Sequence, residues 1–180
     1  MKWMVASDLH GSAYYTEKVL KAYRQEEAER LVLLGDLLYH GPRNDLPRDY
    51  APKKVIAMLN EMADELLCVR GNCEAEVDQM VLEFPVMAEY AVFVLGNTTY
   101  FATHGHHFNK ENPPKLKEGD VLLHGHTHVT ADEVCHAVGK NGEYTYRYLN
   151  PGSVSIPKEG TKRGYLILTE NGAEFKELAE

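Results

Sequence analysis

Three short apolar runs, Trp3–Ala6, Leu31–Leu34 and Leu66–Val69, each give way to polar residues at nearly the same point: Ser7-Asp8, Gly35-Asp36 and Gly71-Asn72. Runs of four apolar residues without alternation suit strands buried on both faces. Amphipathic stretches lie between them. After Ser12, a suitable N-cap, Val19, Leu20 and Tyr23 recur on one helical face. After Pro52, so do Val55, Ile56, Leu59, Met62 and Ala63. The order β-α-β-α-β predicts parallel strands with helical crossovers. In such sheets, polar groups that follow successive strands collect along one edge, where binding sites form.

The second half has a different pattern. Gly96-Asn97, Asn141-Gly142 and Asn171-Gly172 each sit between apolar-rich runs and predict hairpins. The flanking runs are Val86–Leu95 with Thr98–Ala102, Ala131–Val138 with Tyr144–Leu149, and Tyr165–Leu168 with Ala173–Leu178. Val121–Leu123 is a further short strand. The expectation is one α/β domain over residues 1–180, parallel-rich first and antiparallel-rich afterwards. Residues 39–51, rich in Gly, Pro, Asn and Asp, form a loop.

Histidine is over-clustered. The nine histidines include three pairs spaced i, i+2: His104/His106, His124/His126 and His126/His128. Random placement gives about 0.4 such pairs. Where the chain is extended, this spacing aims two side chains the same way, as it does for Asp8 and His10. Oxygen and imidazole donors without a thiolate suit Mn²⁺, Fe²⁺, Zn²⁺ or Ni²⁺. Two Asp, one Asn and four His exceed the ~4 ligands of a structural zinc site and suffice for two ions. The three cysteines, Cys68, Cys73 and Cys135, cannot all pair within the chain, which points to a reducing cytoplasm. No apolar stretch reaches the ~18 residues of a membrane span.

The ordered set Asp8-x-His10, Gly35-Asp36, Gly71-Asn72, His104 and Gly125-His126-x-His128 resembles the calcineurin-like metallophosphoesterases. Gly71-Asn72-Cys73, Thr103-His104-Gly105-His106, the loop from Gly35-Asp36 to Asn44 and Asn150-Pro151-Gly152-Ser153 resemble, more narrowly, the small YfcE-type phosphodiesterases. The resemblance implies an α/β four-layer α-β-β-α sandwich, with two packed mixed sheets flanked by helices. It also implies hydrolysis of small phosphodiesters by attack of a metal-bound hydroxide, with manganese the usual ion. It places Asp8, His10, Asp36 and His128 around a first metal, and Asn72, His104 and His126 with a bridging Asp36 around a second. Self-association as a dimer or tetramer follows from the same resemblance.

Many relatives carry histidine where this chain has Cys73. A thiol is a weaker hydrogen-bond donor and a different acid. Phosphodiesters are therefore expected ahead of phosphomonoesters, whose poor leaving group most needs a general acid. His106 and His40 are the candidates for a proton donor, and Arg43 and Cys73 for substrate contact. Arg43 could equally pair with Asp45 or Asp49 at the surface. The remaining alternative is a protein-interaction scaffold of the same fold, against which the intact ligand set weighs. The formal charge of −8 argues against long nucleic-acid partners, although two divalent ions would make the pocket itself cationic.

Overall fold

The computed structural model describes residues 1–140 and 142–179. Asn141, half of the second predicted turn, lies outside the described residues. Strand β1 (Lys2–Ala6) leads to helix α1 (Ala13–Gln25), β2 (Arg30–Leu33), α2 (Pro52–Asn60) and β3 (Leu66–Cys68). The predicted β-α-β-α-β unit is present, with β1–β2 and β2–β3 both parallel. Ser12 caps α1 by accepting the Tyr15 N–H, and Val19, Leu20 and Tyr23 are buried as its apolar spacing requires. Helix α2 ends at Asn60, before Met62 and Ala63, and gives way to a 3-10 turn at Ala63–Glu65.

The chain continues through α3 (Glu76–Val81), β4 (Tyr90–Leu95), β5 (Thr98–Thr103), β6 (Val121–Leu123), β7 (Ala131–Gly139), β8 (Gly142–Asn150), β9 (Gly164–Thr169) and β10 (Gly172–Glu177). Two five-stranded sheets result, ordered β10-β9-β1-β2-β3 and β4-β5-β6-β8-β7. The hairpins β4–β5, β7–β8 and β9–β10 are antiparallel, as the turn residues predict. The second half is antiparallel-rich as expected, with one parallel insertion: β6 runs parallel to both β5 and β8. Turn signals report only neighbours in sequence, and these pairings are made across longer connections. Helix α3 was not foreseen. Asp78 accepts the Ala75 N–H at 2.8 Å and so closes its first turn.

The sheets face one another across Val5, Val32, Leu34, Tyr100, Ala102, Leu123, Leu149 and Leu166. Each large apolar side chain so buried contributes roughly 1.5–3 kcal/mol. On its other face the first sheet buries Met4, Leu31 and Leu33 against Val19, Leu20, Val55 and Leu59 of α1 and α2. The outer face of the second sheet packs Leu122, Tyr146 and Tyr148 against Leu116 of the connecting loop. Among the described residues no helix is long and apolar enough to cross a membrane.

Candidate metal centre

All the strand ends named from the sequence meet at one seam. Asp8, Asp36 and Asn72 follow β1, β2 and β3 of the first sheet, while His104, His126 and His128 follow β5 and β6 of the second. Asp8, His10, Asp36, His104 and His128 are all buried. Asp8, His10, Asp36, His126 and His128 have φ between 48 and 66°. This left-handed region is uncommon for residues other than glycine, with asparagine, aspartate and histidine the more frequent exceptions. The sharp turn it produces sends each of these residues back toward the seam rather than onward along its strand.

Backbone carbonyls fix the ring orientations. A carbonyl can only accept, so Nδ1–H donates from His10 to Tyr39 (2.8 Å), from His104 to Leu34 (2.7 Å) and from His128 to Ile156 (2.7 Å). Each ring then directs Nε2 into the centre. The Nε2 atoms of His10 and His128 face each other at 3.1 Å. Asp8 Oδ1 lies 3.5 Å from the first and 3.2 Å from the second. That oxygen is buried and has no hydrogen-bond partner. Lone pairs converging in this way call for a cation or a proton between them. Burial pushes the Asp8 carboxyl up, yet the facing rings of His10 and His128 and the charge of His104 hold it well below its usual range. His10 shows the complement: burial opposes its charged form, but Asp8 raises its pKa.

Asp36 occupies the middle. Its Oδ1 is 3.4 Å from His104 Nε2, and its Oδ2 is 3.8 Å from His10 Nε2. His104 Nε2 also meets Asn72 Oδ1 and His126 Nδ1, both at 3.1 Å. Burial works against a charged His104, but the carboxylates of Asp36 and Asp8 outweigh it and lift its pKa to about 9. His126 is lowered by its own burial and by His104. Two donor groups thus share one carboxylate, Asp8/His10/His128 on one side and His104 on the other. The donor chemistry and the orphaned Asp8 oxygen fit divalent ions.

Above this centre is a cleft of about 50 Å³ lined by Arg43, Asn44, Cys73 and Lys158, among others. Arg43 and Cys73, the two candidates for substrate contact, both line this cleft. Burial and the Asp36 charge push the Cys73 thiol up, which keeps it protonated. The two candidate proton donors do not line the cleft. His40 packs edge-on between the rings of Tyr39 and Tyr50 and contacts Asn44 within its own loop. His106 stands behind His104, ring centroids 5.4 Å apart, and burial lowers its pKa to about 4. His124 turns away to stack on Tyr148.

The sequence reading missed Glu74 and Lys158. Buried Glu74 accepts N–H groups from Asp36 (2.8 Å), Leu37 (2.7 Å) and Gly71, clamping together the two loops that carry the candidate ligands Asp36 and Asn72. Gly71 must be glycine, because a Cβ there would collide with the Asp36 carboxylate and Glu74. Ser153 and Ser155 both donate to the Asp8 carbonyl at 2.8 Å, and Ser7 donates to its carboxylate at 2.6 Å. A glutamate following Gly-Asn-Cys was the one available signal for the clamp. Lys158 has no sequence signal, because its loop reaches the cleft only through the tertiary fold.

The model of the calcineurin-like phosphoesterase superfamily domain matches residues 1–173, and the chain belongs to that family. It is 50% identical over 168 residues to phosphodiesterase YfcE of Escherichia coli K12, covering 93% of this chain and 87% of that protein. The solved structure of the E. coli phosphoesterase YfcE superimposes with a TM-score of 0.85 at 44% identity, covering 99% of this chain and 100% of that one. An archaeal phosphodiesterase shares the fold at 19% identity, with a TM-score of 0.61 over 98% of each chain.

Proposed function

We propose that this chain hydrolyses small phosphodiesters with two divalent ions, manganese foremost, held at the seam. The observation that carries this reading is the position of Asp36, whose two oxygens face His104 and His10. Asp8, His10 and His128 would complete the first ion's shell with Asp36. Asn72, His104 and His126 would complete the second. Such a pair would supply Lewis-acid polarisation of phosphoryl oxygens and a bound water of lowered pKa.

The chain's own residues account for the choice of ester. Arg43 and Lys158 supply positive charge at the cleft for the non-bridging oxygens. Cys73 offers a neutral, weak donor rather than a strong acid. Esters whose leaving group departs without full protonation suit this arrangement, which favours diesters with acidic alcohols over simple monoesters. The small cleft and the charge of −8 favour small substrates over long nucleic acids. Three free cysteines agree with a reducing, cytoplasmic setting.

The test is hydrolysis of bis(p-nitrophenyl) phosphate with and without Mn²⁺. Turnover is expected only with metal, with two ions per chain by elemental analysis and at least a ~100-fold loss in Asp36→Ala. Full turnover in Asp36→Ala, or none with any divalent ion, would overturn the reading.

A further inference from the structure

A second cavity, of about 300 Å³, lies beside the first turn of α1 and shares no lining residue with the metal cleft. Among the described residues, Arg48, Lys162 and Arg163 line it together with one carboxylate, Glu177, and the rings of Tyr14 and Tyr15. Its volume is at the lower end of the range for small-molecule sites. In a chain of net charge −8, three cations against one carboxylate among the described residues around a half-open hollow is a local reversal of sign.

The arginines are held in place but not neutralised. The Arg48 guanidinium lies 3.6 Å over the ring of Tyr14, and that of Arg163 lies 4.5 Å over the ring of Tyr15. The two rings meet edge-to-face at 5.0 Å. Stacking fixes the guanidinium planes and leaves their N–H edges free for in-plane acceptors. Arg163 makes one long contact, Nη2 to the Ser155 carbonyl at 3.4 Å. Its Nε is buried without a partner. A buried donor on a charged group needs an acceptor, and a tetrahedral oxyanion offers several. Lys162, 3.6 Å from Glu177, sits in an exposed pair that yields readily to a stronger anion.

We propose that this cavity is a second anion site, which takes a phosphoryl dianion, free or as a small monoester, on Arg48 and Arg163 with Lys162 assisting. The test is isothermal titration of the metal-loaded protein with inorganic phosphate at low ionic strength. Two binding events are expected, one at the metal centre and one at the cavity. Arg48→Gln should weaken only the second, by about tenfold. The double variant Arg48→Gln/Arg163→Gln should abolish it and keep the first. Arg48 is exposed, so its single variant retains the fold even if the double one does not. One event in the wild type, or two unchanged events in Arg48→Gln, would overturn the proposal. Methylphosphonate in place of phosphate then distinguishes the sources: equal binding admits esters, and exclusion restricts the site to the free ion.

Discussion

At Glu74 one carboxylate takes hydrogen bonds from three backbone amides on two different loops. Burial and the nearby Asp36 charge raise its pKa to about 7, so the clamp is held at some electrostatic cost. Glu74→Gln would turn an amide N–H₂ toward backbone donors. The expected loss is about 2 kcal/mol, or roughly 4–8 °C in Tm, with manganese affinity down by about 10–100-fold. Thermal melts and metal titration check both; unchanged metal affinity would show that the clamp does not position Asp36. The candidate ligands stand out in the sequence because each ends an apolar run or sits in an i, i+2 pair, and the family resemblance assigns them. Glu74 does not, because beside Cys73 a lone glutamate reads as surface charge. For His40 and His106, proximity in sequence to Asp36 and His104 does not carry either ring into the lining of the cleft.

At the scale of elements, Glu26 just past α1 ties that helix to the first sheet. It accepts from Lys176 on β10 at 2.9 Å and from Tyr165 on β9 at 3.0 Å. Burial raises its pKa, but the Lys176 and Tyr165 hydrogen bonds outweigh that and the net shift is downward from 4.5. A carboxyl depressed in the folded state adds stability above its unfolded pKa and loses it as pH falls through the folded one. Glu26→Gln should therefore cost about 1 kcal/mol at neutral pH. The difference in Tm from wild type should hold constant down to about pH 5 and then shrink. A difference that grows in acid would contradict this network. Element types were legible from period and turn residues. The parallel pairing of β6 with β5 and β8 was not, because no local signal encodes which distant strand lies alongside.

The whole molecule is two sheets joined by an apolar layer, with the candidate centre at the seam drawing donors from both. Metal bound there would act as a cross-link between the sheets. Manganese at a hundredfold excess over Kd should stabilise the chain by about 2.7 kcal/mol, raising Tm by roughly 5–10 °C. His104, with its pKa near 9 in the metal-free protein, must lose its proton to bind an ion. Manganese binding at about pH 7.5 should therefore release protons, measurable as a buffer-dependent heat in calorimetry. A heat independent of buffer, or an unchanged Tm, would argue against ligation by His104.

The left-handed turns that carry Asp8, His10, Asp36, His126 and His128 have a consequence for descent. Each holds a side chain in backbone that glycine occupies with less strain. A lineage under no selection for metal could lose these side chains and gain stability as it did so. Drift from this architecture toward an inert framework thus runs downhill in backbone strain.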